Sequence, residues 1–140
     1  PSPAAEAAML AAAVTAARKP PADQPDAAAV LTRGQLAELQ AQVAATSVAA
    51  NVQQYLVALA DASRHHPDIA AGVSPRGLLL WQRAAQATAR LAGRDFTTPD
   101  DVQQVAEPVL AVRLGVETAD TPGVIHQLLD DVPVPTTAAE

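Results

Sequence analysis

Three groups of residues in this chain of 140 residues have types and spacing that could do chemistry. The first centres on Arg76, within Gly72-Val73-Ser74-Pro75-Arg76-Gly77. Ser74 has the side chain of a helix N-cap, and Pro75 suits the first helical position, where no amide hydrogen is required. Arg76 then puts a cation near the positive end of the helix dipole, which is unfavourable by roughly 0.3–1 kcal/mol. Free amides and a guanidinium at one helix start together suit a phosphate. In this reading Ser74, Pro75 and Gly77 shape the helix start, and Arg76 meets the ligand. The plainer alternative is a solvated arginine paired with Asp68 or Asp95.

The second group is His65, His66 and His126, the full histidine set. Adjacent side chains on a helix diverge. With no cysteine and no well-spaced carboxylate to join them, no metal site is expected. The third group is Asp100 and Asp101. Their place in the first turn of a helix explains them as complements of the dipole, so no catalytic residue is assigned. Arg94 and Asp95 are expected to form a local surface ion pair. Asp130 and Asp131 read as a solvated helix end. Tyr55 and Trp81 read as core or subunit-contact residues, not as a base-stacking platform.

Helical periodicity positions these groups. Met9, Leu10, Ala13, Val14 and Ala17 predict a helix over 4–17. Pro20, Pro21 and Pro25 then predict a loop over 18–31. Thr32 and Gln35 have capping-box spacing before a helix at about 33–44. Val48, Val52, Tyr55, Leu56 and Leu59 predict a helix from about 49 to 64, ended by His65-His66-Pro67. The next helix, about 75–92, has Leu80, Ala84, Ala87 and Leu91 as its main stripe, with Trp81 and Thr88 beside it, and Gly93 as its stop. Thr98-Pro99-Asp100-Asp101 opens another, which Pro108 should kink or split near 107. Thr121-Pro122 opens the last, with Val124, Ile125, Leu128, Leu129 and Val132 on one side. The fold class is therefore all-α: a small helical bundle of five to six helices, with short extended pieces near 46–48 and 112–117.

Composition narrows the function. Alanine dominates the apolar residues, and there is one each of Trp, Tyr and Phe. Small side chains at helical spacing suit closely packed helices and not a β-sandwich. A net charge of −6 gives no electrostatic footprint for nucleic acid. No apolar run reaches the ~20 residues that span a membrane, so no membrane insertion is expected. The absence of cysteine fits a cytoplasmic protein. The chain opens at Pro1 without a methionine or a signal peptide, as expected of a fragment cut from a longer protein.

The order of elements resembles the C-terminal helical lid domain of MoxR-type AAA+ ATPases. Pro1-Ser2 with Glu6 resembles the opening of that family's first lid helix. Tyr55-Leu56, Leu59 and Ala62-Ser63-Arg64 resemble its "Y-hydrophobic…A-T-R" helix. Gly72-Val73-Ser74-Pro75-Arg76-Gly77 resembles its "G-A-S-P-R-A" sensor 2 motif. Gly93-Arg94-Asp95-Phe96 with Thr98-Pro99-Asp100-Asp101-Val102 resembles "G-R-x-hydrophobic-V-T-P-x-D-V". Pro108-Val109-Leu110 with Arg113-Leu114 resembles "P-V-L-x-H-R-hydrophobic". The sequence departs at Val112, where the family has histidine, at Ala49-Ala50, where it has a serine-acid cap, and at Ser63, where it has threonine. The resemblance implies a lid over 1–132, with 133–140 as a flexible tail. It also implies that Arg76 is the sensor 2 arginine of a chaperone-like ATPase. The cofactor would be ATP, with Mg²⁺ held by a core domain outside this chain. The implied partners are that core, neighbouring subunits of a hexameric ring, and client proteins with von Willebrand A-type domains. The chain has no G-x-x-x-x-G-K-[ST] phosphate loop and no strand ending in paired acids. The fragment alone is therefore expected to be inactive, although part of an ATP-hydrolysing enzyme.

Two other readings stand beside this one. A stand-alone helical protein-interaction module with no nucleotide role could use Leu78, Leu79, Leu80 and Trp81 as part of an apolar face. A helix-turn-helix DNA binder could read with the 75–92 helix through Arg76, Arg83, Arg90 and Arg94, although the net charge opposes it.

Overall fold

The computed structural model describes residues 2–18, 30–116 and 120–136 of the chain. Two units divide it, Pro1–Thr32 and Arg33–Glu140. The first unit contains helix α1, Pro3–Arg18, where the 4–17 periodicity predicts one. Most of the expected 18–31 loop, at 19–29, lies outside the described residues. In the second unit the order is α2 (Arg33–Ala45), β1 (Ser47–Val48), α3 (Ala50–His65), α4 (Pro75–Leu91), β2 (Phe96–Thr97), α5 (Pro99–Gln104), α6 (Ala106–Leu110) and α7 (Thr121–Asp131). The all-α expectation holds, with seven helices among the described residues.

The rise in number has a local cause. The helix opened by Pro99 breaks at Val105, so that α5 and α6 are separate. Pro108 has no amide hydrogen to give the Gln104 carbonyl, and its ring crowds that same turn. The break therefore falls just before the expected position near 107. The tail has no regular element over 133–136, and 137–140 lie outside the described residues.

Trp81 sits at the centre of the core with no exposed surface. Its indole N–H donates to the Val102 carbonyl at 2.9 Å, which satisfies the polar end of the ring and ties α4 to α5. Val52, Tyr55, Leu56 and Leu59 bury the expected face of α3, and Val124, Ile125 and Leu128 of α7 join them. On α4 the expected stripe is displaced. Leu80 and Leu91 are 44% and 90% exposed, while Gly77, Trp81, Ala85, Gln86 and Ala89 are buried. A helix this rich in alanine and leucine offers several stripes of similar apolarity. The bulkiest side chain settles the choice, and small residues one and two turns beyond it, Ala85 and Ala89, let neighbouring helices come close.

Gly93 closes α4. Its φ of +77° is left-handed, and the Arg94 amide donates to Ala89 O (2.9 Å) while the Gly93 amide donates to Arg90 O (3.0 Å). These are the paired bonds of a Schellman end. The turn delivers the chain into β2, which pairs in parallel with β1 through Ser47–Phe96 and Val48–Thr97. The extended piece expected at 46–48 is thus present, with a partner strand the periodicity does not predict. Gln86 Nε2 donates to the Thr46 carbonyl at 2.7 Å and fixes the start of this ribbon to α4. Of the piece expected at 112–117, residue 117 lies outside the described residues, and 112–116 hold a single antiparallel bridge, Ile69–Val116, because 111–113 turn sharply after α6.

Arg94 does not pair with Asp95. Its guanidinium grips both oxygens of Asp101, at 2.6 and 2.7 Å. Asp101 is buried, and it also accepts from the Thr98 amide (2.8 Å) and hydroxyl (2.9 Å), while Thr98 caps the Asp101 amide. This capping box opens α5. Burial alone would raise the Asp101 pKa. The Arg94 and Thr98 hydrogen bonds outweigh it and hold the carboxyl below its ordinary value. A lowered folded-state pKa gives stability that is present above the unfolded value of about 3.9 and lost as pH falls through the folded one. Asp101→Asn should therefore melt earlier than wild type near neutral pH. Its melting temperature should also fall less steeply than that of wild type as pH drops below about 4, in thermal scans across that range.

Candidate functional site

Ser74 is extended (φ −73°, ψ 160°), and its Oγ accepts from the Gly77 amide at 3.1 Å. Pro75 fills the first helical position and has no amide hydrogen. Of the three first-turn residues of α4, only Arg76 is left with an unbonded amide, because Gly77 gives its own to the cap. The free amides expected at this helix start reduce to one. The guanidinium is the principal donor.

The approach to this helix is held on both sides. From α3, Ser63 Oγ donates to the Ala60 carbonyl (2.7 Å) and accepts from the Val73 amide (2.9 Å). Arg64 reaches the Val73 carbonyl with Nε at 3.1 Å and Nη2 at 2.9 Å. Gly72 passes so near α3 that a Cβ there would stand 2.7 Å from Arg64 Cα and 2.8 Å from Arg64 N. Backbone cannot yield at that distance, so glycine is required. On the opposite side the Ala70 amide donates to the Gly115 carbonyl at 2.6 Å, beside the Ile69–Val116 bridge.

On this mount Arg76 is exposed and bonded to none of the described residues. Neither Asp68 nor Asp95 pairs with it. The ion pairs among the described residues are Arg94–Asp101 and a long His65–Asp61 contact. Arg76 borders an open cleft of about 400 Å³, whose described lining includes Ser74, Leu80 and Arg113 and no acid. Two guanidiniums, with no carboxylate among the described lining residues, offer the donor chemistry of a phosphate site.

The other sequence candidates stay apart. His65 Nδ1 contacts the Asp61 carbonyl, His66 Nδ1 accepts from the Asp68 amide, and His126 lies on α7. Among the described residues no cluster of three or more His, Asp or Glu forms a metal site. Asp100 is exposed while Asp101 is engaged by Arg94. Arg76, Arg83 and Arg90 stand seven residues apart on one exposed face of α4, but the fourth arginine of the DNA-reading alternative does not join them. Arg94 is tied to Asp101, and Arg90 donates to Gln42 Oε1 at 2.8 and 3.3 Å. Gly72, Arg113, Ser63 and Arg64 were named only as members of motifs, and the tasks they perform here escaped the sequence reading. Nothing local to 113 or 63–64 signals that tertiary folding brings them to residues 72–77.

The AAA lid domain family matches residues 61–132. The uncharacterized protein YeaC of Bacillus subtilis is 32% identical over 103 residues, covering 69% of this chain and 32% of that protein. The MoxR protein of Paracoccus denitrificans is 41% identical over 83 residues, covering 54% of this chain and 24% of its own length. A crystal structure of a candidate ATPase from Cytophaga hutchinsonii superposes with a TM-score of 0.66 over 74% of this chain and 36% of its own, at 20% identity, which speaks for the fold. The chain thus spans a third or less of the curated relatives it matches.

The two glycines of the motif should respond oppositely to alanine. Gly72→Ala should cost about 1–3 kcal/mol through its clash with α3. At Gly77 the closest atoms to a Cβ are 3.4 Å away, an ordinary contact. Gly77→Ala should therefore stabilise the protein by about 0.5 kcal/mol or more through helix propensity. Urea denaturation midpoints of the two variants would check both signs.

Proposed function

This chain belongs to the AAA lid domain family, as the lid of a MoxR-type AAA+ ATPase, and we propose that Arg76 is its sensor 2 arginine, reaching the terminal phosphate of ATP held by a core domain. The observation that carries this reading is the Arg76 guanidinium, exposed on a cleft and bonded to none of the described residues, with no acid among the described lining, at a helix start fixed from two sides. A donor held in place before the charge arrives loses little energy to reorganisation when it meets the phosphoryl oxygens. Its bond to the phosphate draws α4, and the bundle built on α4, toward the core. Loss of that phosphate releases it, which couples lid angle to nucleotide state. Mg²⁺ and the phosphate loop belong to the core in this scheme. The chain carries no G-x-x-x-x-G-K-[ST] sequence, so turnover requires that core.

The same reading gives the exposed apolar side chains a purpose. Leu36, Leu39 and Val43 of α2 line an open groove of about 570 Å³ with Arg83 and Ala87 of α4. Leu79 is also exposed. A core domain or a neighbouring subunit of a ring would cover such a surface. Trp81, expected as a possible contact residue in the stand-alone interaction module, is buried and unavailable to a partner. The lid is taken to end at residue 132, where the family match ends, with 133–140 as a tail. The chaperone role and clients with von Willebrand A-type domains rest on the resemblance to MoxR proteins. No helix among the described residues is long and apolar enough to cross a membrane. The cytoplasm is proposed because a cysteine-free chain suits a reducing compartment.

The test uses the full-length protein. Arg76→Ala should reduce ATP turnover by on the order of tenfold or more, the worth of a charge-assisted bond to phosphate. Its melting temperature should stay close to wild type, because the side chain is exposed and unbonded. Wild-type turnover in this variant would remove the sensor role.

A further inference from the structure

Arg113 stands on the turn that follows α6, far along the chain from Arg76, yet it lines the same cleft. Two sets of contacts bring it there. The Ala70 amide donates to the Gly115 carbonyl at 2.6 Å, and Ile69 bridges Val116, so the strip after Arg113 is bonded to the strip before α4. The Arg113 stem lies along the first turn of α4, with its Cδ 3.9 Å from where a Cβ on Gly77 would stand. One nitrogen, Nη1, is held by the Val109 carbonyl at 2.6 Å. The rest of the exposed guanidinium is bonded to none of the described residues, and none of the described residues that line the cleft is an acid.

This arrangement runs against the charge balance of the molecule. The chain has 15 acids and 9 lysines and arginines. Arg64, Arg90 and Arg94 have partners in Val73, Gln42 and Asp101, while Arg33 and Arg83, each on its own, have none among the described residues. Arg76 and Arg113 line one cleft with no acid among its described lining residues, and like charges that share a cleft repel. An anion between them would relieve that repulsion. A terminal phosphoryl group carries about two negative charges and three acceptor oxygens at neutral pH. One guanidinium can engage two of those oxygens, which leaves one oxygen and about one charge unmatched.

We propose that Arg113 is a second phosphate-binding arginine, which together with Arg76 forms a two-pronged clamp for the terminal phosphoryl of a nucleoside triphosphate. The inference rests on the sensor reading of Arg76 and adds to it a selectivity. A diphosphate ends one phosphoryl group short, so the second prong has nothing to grip. Arg113 therefore discriminates triphosphate from diphosphate and leaves the affinity for the shared part of the nucleotide unchanged.

The experiment is equilibrium binding of a non-hydrolysable ATP analogue and of ADP to the full-length protein. Wild type is compared with Arg113→Ala, Arg113→Lys and Arg76→Ala, with a melting temperature for each. Arg113→Ala should weaken the ATP analogue about tenfold and leave ADP affinity and melting temperature near wild type. Arg113→Lys, which keeps the charge and loses the fork, should recover part of the loss. Wild-type analogue affinity in Arg113→Ala, alongside impaired Arg76→Ala, would overturn the clamp and leave the sensor reading standing. An equal loss for analogue and ADP, or a lowered melting temperature without lysine rescue, would make Arg113 a structural residue and also overturn it. Wild-type analogue binding in both alanine variants would remove both readings.

Discussion

Val73 is the point on which the candidate site turns. Its amide and its carbonyl are both taken by side chains of one helix, Ser63 and Arg64, and Gly72 lets the backbone lie directly against that helix. A backbone gripped at donor and acceptor cannot slide along α3 without leaving a buried polar group unpaired. The first residue after the grip is the N-cap Ser74. The direction in which α4 departs, and hence the position of the Arg76 Cα, follows from contacts that involve no ligand. The departures of this sequence from the MoxR pattern are mild in this light. Ser63 offers the same hydroxyl as threonine, and it makes both bonds needed.

α4 extends that constraint across the bundle. Near its start stands Arg76, at its middle Trp81 is locked to the Val102 carbonyl, and at its end the Schellman turn presents Arg94 to the buried Asp101. The Trp81 and Arg94 attachments lie on α5 and its capping box, and the grip on Val73 just before the first turn lies on α3, so a force applied at the first turn of α4 reaches both helices. A sensor that is to change the angle of a domain needs such a lever. An arginine on a loose loop would bind phosphate equally well and transmit nothing.

The treatment of charge separates structure from function in this molecule. Arg94 is satisfied by a bidentate carboxylate, and Arg64 by a carbonyl, and both hold backbone in place. Arg76 and Arg113 line an open cleft with no acid among its described lining residues, in a chain of net charge −6. The arginines that fasten the fold and those left open on the cleft have the same chemistry. Their neighbours tell them apart.

Much of the frame was legible from local sequence, because helix starts and stops are local events. Ser74-Pro75, Thr98-Pro99 with Asp101, Gly93 and Pro67 each act on their own backbone within a few residues, and each element began or ended where they stand. Arg76 was legible for the same reason, as a cation placed where the dipole disfavours it. What sequence alone left open was every choice between equivalent surfaces and every long-range pairing. Alanine-rich α4 has more than one apolar stripe, and only packing of the bulky Trp81 decided which was buried. Arg94 had two acids in reach, and burial of Asp101 decided the partner. The second strand, the anchoring of Val73 and the arrival of Arg113 beside Arg76 depend on residues distant in the chain. Such contacts leave no mark at either end, because their energy exists only once the helices between them have packed.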